Sequence, residues 1–335
     1  MTSEHAQATA GQRPRLAQIQ APVRPELELV EAEIPRIILS DFPAIQEVSD
    51  YLAHGRGKLF RPTLLLLANQ VGDGGHERAP TLAAVVELVH MATLVHDDAV
   101  DHSVLRRGMP TVNALWSHQA AIIMGDYLYS RAVTELASFR RTDLVEVLAG
   151  AANEMSVGEM RQLASADALA FDEDDYYRLI QAKTASLIAA ACEMGAMIGD
   201  HRFRQPLARY GHLTGMAFQI ADDLLDYTGS EGDTGKPAGQ DLREHKMTLP
   251  LIAALARMGQ SARREVESFF AQPEPSDEGI QRIVELVQEH SGLDHARGRA
   301  EEFGARAAAA LHSLPSSEAT GALEAAVAYV VQRRR

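Results

Sequence analysis

From about Asp41 to the C-terminus, apolar residues return every three or four positions, and no run of strict apolar–polar alternation interrupts them. That period marks helices with one buried face, not half-buried strands. Short Gly, Pro or polar breaks divide the run: GRG at 55–57, GDGG at 72–75, RRGMP at 106–110 and PEPSD at 273–277. Local residues sharpen the ends. Pro80 suits a first helical turn, where the missing N–H has no partner to lose. Thr142 and Ser276 can cap the segments that open at Asp143 and Asp277. Segments 81–100 and 184–199 are apolar on most faces, which puts them inside a larger bundle. No fixed-period repeat and no long linker divides the chain. The pattern therefore predicts one all-α domain over residues 26–335, behind a polar N-terminal tail over 1–25 that reads as disordered and lacks an apolar signal core.

Composition narrows the function classes. The chain has 335 residues and 46% apolar ones, enough for a sizeable core. Its net charge of −14 disfavours a nucleic-acid partner, since phosphate-backbone binding needs a basic surface. The single cysteine, Cys192, rules out an intrachain disulfide and suits a reducing cytoplasm. No stretch has the roughly 20 uncharged apolar residues of a membrane span; the 184–199 segment is interrupted by Glu193. A peripheral membrane contact stays open.

The chemistry lies in two acidic motifs. In HDDAVD, Asp97 and Asp101 fall one helical turn apart on one face, with His90 on the same stripe. Asp98 sits roughly 80° to the side. Carboxylates one turn apart repel, and a long apolar run precedes these, so they need a counter-charge. Magnesium is a natural one: it takes one or two carboxylates and fills its shell with water and phosphate oxygens. The same spacing recurs in FQIADDLLDY at Asp222, Asp223 and Asp226, with Gln219 one turn earlier. One copy alone could be a solvated helix end. Two copies on apolar helices can hold a metal cluster between them, as facing helices of bundles do. No His/Cys cluster suggests redox work. Lys58, Arg61, Arg106, Arg107, Lys183, Lys236 and Lys246 supply cations for phosphate. The glycine-rich, charged segment 227–247 is either a lid or plain disorder.

In order and spacing, GKLFRP (57–62), HDDAVD (96–101), LRRGMPTVN (105–113), GDYL (125–128), GEMRQL (158–163), KTASL (183–187), FQIADDLLDY (218–227), GKPAGQDL (235–242) and KMTLPLI (246–252) resemble the trans-polyprenyl diphosphate synthase family. The resemblance covers nearly the whole chain after the tail. It implies a helical bundle around a deep central cavity, a homodimer, and a cytoplasmic prenyltransferase. The implied reaction joins an allylic diphosphate primer to isopentenyl diphosphate by ionisation, condensation and elimination. Magnesium is the implied cofactor, three ions once substrate is bound.

Residue by residue, the resemblance makes Asp97, Asp101 and Asp222 metal ligands, with Asp98, Asp223 and Asp226 in support. Lys58, Arg61, His90 and Arg107 match the isopentenyl diphosphate site. Arg106, Lys183, Thr184, Gln219, Lys236 and Lys246 match the allylic side. Asp97, Asp101, Arg106, Lys183, Asp222 and Lys236 would carry the chemistry. Two departures stand out: Leu59 replaces a common arginine, and His245 stands where glycine usually precedes the lysine.

Short-chain members often carry an aromatic four or five residues before the first aspartate. Here those positions are Thr93 and Ala92, and the motif lacks a two-residue insertion. Both features favour a long product, with farnesyl or geranylgeranyl lengths as the alternative. Bulk deeper in the chain, such as Met124 or Phe139, could set a floor. A class I terpene cyclase would normally carry a single aspartate motif of this kind, and a non-catalytic partner subunit would be expected to lose aspartates. Neither motif matches a calcium-binding D-x-D-x-D-G loop.

Overall fold

The computed structural model describes residues 14–55, 57–164, 168–228 and 239–332. The chain opens with α1 (Leu16–Gln20), α2 (Arg24–Ile37), α3 (Pro43–His54), α4 (Phe60–Asn69) and α5 (Ala79–Val100). A two-stranded hairpin, β1 (Leu105–Arg106) and β2 (Met109–Pro110), follows. Then come α6 (Val112–Leu115), α7 (His118–Ala137), α8 (Thr142–Ala164), α9 (Glu173–Ile180), α10 (Ser186–Ile198) and α11 (Arg204–Thr228). The chain closes with α12 (Gln240–Arg243), α13 (Leu249–Leu255), α14 (Gln260–Phe270), α15 (Asp277–Glu289), α16 (Gly292–Ala310) and α17 (Glu318–Val331).

The two segments expected at the centre are there. Helix α5 packs on α7, α2 and α4, and α10 packs on α11, α4 and α8. By length and composition α5 could cross a membrane, a property the uncharged-run criterion did not register, but its apolar window is 67% buried within the bundle. It is a core helix. Pro80 lies in its first turn, and the Ser276 hydroxyl accepts from the Gly279 N–H at 3.1 Å as the cap of α15. Thr142 is itself the first residue of α8.

Two expectations need correction. The polar tail is shorter than 1–25: α1 and the turn after it lie inside that range, and Ile19 and Val23 are fully buried. Leu16, Ile19 and Val23 fall three and four apart and continue into Leu27 and Val30 of α2, a period masked by Pro22, Pro25 and the polar residues between. Residues 1–13 fall outside the described residues. The break at RRGMP is a hairpin, with Arg106 opposite Met109. Arg107 (φ 52) and Gly108 (φ 75) make its two-residue turn. Left-handed residues at both turn positions match the twist of antiparallel strands.

Candidate active site

The first motif ends α5. Asp101 is its C-terminal cap, and the Asp101 N–H donates to the Asp97 carbonyl at 2.8 Å. The macrodipole disfavours acids at this end of a helix, so they need partners. Asp98 is buried and accepts two bonds from Arg106 Nε, at 2.8 and 2.9 Å. Asp97 and Asp101 point elsewhere. Burial pushes the Asp97 carboxyl up to about 6, helped by Glu159 and Asp101 and opposed by Lys183 and Arg106.

The second motif lies near the end of α11 and uses its acids differently. Asp223 is buried and accepts from the Tyr176 hydroxyl at 2.6 Å and from Gln219 Nε2 at 2.8 Å. Gln219 is fixed in turn by the Thr184 hydroxyl, which donates to its Oε1 at 2.7 Å. Burial, with Asp241 and Asp222 nearby, holds the Asp223 carboxyl well above the usual carboxylate range. The Asp226 carboxylate accepts the N–H groups of Gln240 and Asp241, each at 3.0 Å, and so caps the N-terminus of α12. Asp222 is the exposed member of the three.

Two lysines tie these elements together. Lys183 lies in a π-helical turn, Gln181–Ala185, between α9 and α10. Wide turns of this kind interrupt helices at functional sites. Its Nζ lies 2.9 Å from Glu159 on α8 and 3.9 Å from Asp97. Helix α8 comes close because Gly158 has no side chain: a Cβ there would sit 2.7 Å from Ala182 Cβ. Lys246, just past α12, lies 2.6 Å from Glu244 and 3.6 Å from Asp101. Burial works against its charge, but Glu244, Asp101 and Asp241 outweigh it and hold the ammonium protonated. A residue that follows the second motif thus pairs with the first. Gly125 does for α7, which packs on α5, what Gly158 does for α8: a Cβ there would run into the His96 imidazole.

Beside this acidic centre lies a cleft of about 140 Å³. Gly57, Glu87, His90, Arg106 and Arg107 line it, with Ile34, Leu52, Met91 and Met109 among the apolar walls. Burial, then Arg61, Arg107 and Arg106, keep His90 neutral by pulling it well below its ordinary value. Arg61 does not line the cleft; its Nε is buried without a hydrogen-bond partner among the described residues. Lys58 is exposed. Lys236 lies outside the described residues. Ala92 is 2% exposed, whereas Thr93 is half-buried and its hydroxyl donates to the His90 carbonyl at 2.8 Å. Met124 is buried on α7, and Phe139 lies under the Arg78 guanidinium at 3.8 Å.

Four site residues were not singled out in the sequence, although Glu159 and Asp241 lie inside GEMRQL and GKPAGQDL. Glu159 sits inside GEMRQL but has no acidic partner at helical spacing. Asp241 looked like one more charge in a polar segment; burial, then Asp226, with Glu244 and Asp222 further out, pushes it up to about 7 against the pull of Lys246. Tyr176 and Glu87 show their role only through distant partners. Among the described residues no three His, Cys, Asp or Glu side chains converge as a ready-made cage. An all-protein cage is what magnesium does not need, because water and substrate phosphate complete its shell. The oxygen-only acids here fit that donor set.

An all-α bundle that faces two acidic helix ends across paired lysines, beside an arginine-lined cleft, is built to handle phosphate esters. The chain belongs to the polyprenyl synthetase family, whose model matches residues 42–287. It is 38% identical over 301 residues to an all-trans-nonaprenyl-diphosphate synthase (geranyl-diphosphate specific) of Rhodobacter capsulatus, covering 89% of this chain and 92% of that one. It is 35% identical over 314 residues to a heptaprenyl diphosphate synthase component 2 of Geobacillus stearothermophilus, covering 92% and 96%. The solved polyprenyl synthase of Caulobacter crescentus, complexed with calcium and isoprenyl diphosphate, superposes with a TM-score of 0.91 at 33% identity, covering 97% of this chain and 99% of that one.

Proposed function

We propose that the chain is a prenyltransferase that extends an allylic diphosphate with isopentenyl diphosphate into a long all-trans polyprenyl diphosphate. The observation that carries this reading is the Lys246–Asp101 pair, which joins the first motif to the turn after α12, whose first N–H groups are capped by Asp226 of the second. Asp97, Asp101 and Asp222 would hold magnesium there. Magnesium held there would supply the positive charge that neutralises a departing diphosphate. Lys183 and Lys246 add fixed positive charge to the same leaving group, and the Thr184–Gln219 bond keeps Asp223 and its helix in register. Arg107 and His90 would hold the diphosphate of isopentenyl diphosphate in the adjacent cleft, with Arg61 adding positive charge from behind His90. Its double bond then attacks the allylic cation, and the released diphosphate takes the proton lost in the last step.

Small residues at 92 and 93 support a long product. Exposed Leu115, Ile122 and Ile123 on α6 and α7 support pairing of two copies. The buried thiol of Cys192 suits the cytoplasm. A second reading has one specific support, the relative named as a component: the chain would then need a partner subunit. Purified chain, magnesium, labelled isopentenyl diphosphate and primers of several lengths test both. Long linear diphosphates from the chain alone support the first reading. Inactivity relieved by a second subunit supports the other, and a cyclised hydrocarbon would overturn both.

A further inference from the structure

The turn between α12 and Lys246 is unusual in its central residue. The Lys246 N–H donates to the Asp241 carbonyl at 2.7 Å, and the His245 N–H to the Leu242 carbonyl at 3.1 Å. These are the two closing bonds of a Schellman turn, whose left-handed position usually falls to glycine. Here His245 occupies it, with φ 52. A side chain in that conformation is strained and persists only where its surroundings hold it. What holds it is the end of α14. The imidazole centroid lies 5.4 Å from the Phe270 ring and 6.0 Å from the Phe269 ring, within the range of favourable ring pairs. Its Nε2 is buried without a hydrogen-bond partner among the described residues. The ring therefore acts as a packing body, and its polar edge goes unused. The next residue is Lys246, 3.6 Å from Asp101.

We propose that His245 is a positioning residue: its ring, wedged against Phe269 and Phe270, sets the left-handed turn that aims Lys246 at the first acidic motif. Glycine would make the turn easier but leave its direction unfixed. The consequence is specific to one substrate. Lys246 faces Asp101, away from the arginine-lined cleft, so the effect should fall on the primer. This inference rests on the diphosphate roles proposed above.

The test compares His245→Gly, His245→Phe, Phe270→Ala and the double variant His245→Gly/Phe270→Ala in full-length protein. His245→Gly should raise the primer KM about tenfold, roughly the loss of one oriented charge contact. His245→Phe, which keeps a ring in the wedge, should stay within about twofold of wild type. The double variant should be no worse than His245→Gly, because both changes cut one route. The KM for isopentenyl diphosphate should not move. A folded His245→Gly with an unchanged primer KM overturns the proposal, as does an equal rise in both KM values or a double variant whose effects multiply. If His245→Gly loses its helical circular dichroism, Phe270→Ala decides alone, and an unchanged primer KM counts against the proposal. If wild type makes no prenyl diphosphate, the function reading fails separately. The affinity for inorganic diphosphate in magnesium then carries the test: weaker in His245→Gly but not His245→Phe supports the proposal, and equal affinity overturns it.

Discussion

HDDAVD and FQIADDLLDY share one spacing but not one disposition. At the end of α5 one aspartate is tied to the scaffold, Asp98 through Arg106, and two are left to face the lysines. Near the end of α11 two are tied: Asp223 to Tyr176 and Gln219, and Asp226 to the first N–H groups of α12. Only Asp222 is exposed. Helix geometry explains the difference. The first motif runs off its helix, so its last acid meets a lysine from beyond the second motif. The second sits inside a longer packed helix, where the same spacing aims two acids at protein. A repeated motif thus gives an asymmetric set, two outward acids against one.

The largest expected effect separates outward acids from scaffold acids. Asp97→Ala or Asp222→Ala should lower turnover by about 10²–10³-fold or more, as loss of a transition-state contact does, with helicity intact. Near-wild-type turnover in either would break the comparison. Next is pH. Asp97, at about 6, and Asp241, at about 7, are raised above ordinary carboxylate values. Each of these carboxyls therefore keeps its proton in the folded metal-free protein from pH ~4 to about its raised value, where the unfolded chain has lost it, so its contribution to stability falls as pH rises through that window, against the opposite contribution of the neutral His90. For Asp97 the loss is on the order of 3 kcal/mol. Thermal melts should show it, and magnesium with diphosphate should flatten it. A melting temperature whose change from pH 4 to 7 is the same in Asp97→Asn as in wild type would contradict the burial of Asp97.

Smaller effects refine the picture. Asp223→Ala strands the buried Tyr176 hydroxyl and Gln219 amide, at a cost of about 1–3 kcal/mol; chemical denaturation checks this. Thr93→Phe should shorten the product in a chain-length assay with little loss of stability. Ala92→Phe should shorten it as well, but position 92 is 2% exposed, so overpacking should also cost about 1–3 kcal/mol. Unchanged product length in both variants would remove the small residues before Asp97 from the account of chain length.

The bundle was legible because its helices are long and strongly periodic, and 81–100 and 184–199 announced their burial by being apolar on most faces. The docked segment at 16–25 was not, since Pro22 and Pro25 and its polar residues masked the three-and-four spacing of Leu16, Ile19 and Val23. The hairpin was hidden because two residues per strand cannot show alternation. In the site, spacing alone placed Asp97, Asp101 and Asp222 on their helices. It could not separate them fully from Asp223 and Asp226, whose partners Tyr176 and the α12 backbone lie 47 and 14 or 15 positions away. Glu159 escaped for the same reason, its lysine lying 24 positions on, and Asp241 because the acid beside it, Asp226, lies 15 positions back.

The asymmetry of the motifs is tested most directly by magnesium-dependent binding of inorganic diphosphate to Asp222→Asn and Asp223→Asn, measured by calorimetry. Asparagine at 223 mimics a carboxyl that burial already favours in its neutral form: its Oδ1 can accept from Gln219 Nε2, and its Nδ2 can donate to the Tyr176 oxygen in a reversed bond. We expect Asp223→Asn to bind as wild type does and Asp222→Asn to lose magnesium-dependent binding. Equal loss in the two variants, or loss in Asp223→Asn alone, would contradict the assignment of Asp222 as the acid that the second motif presents.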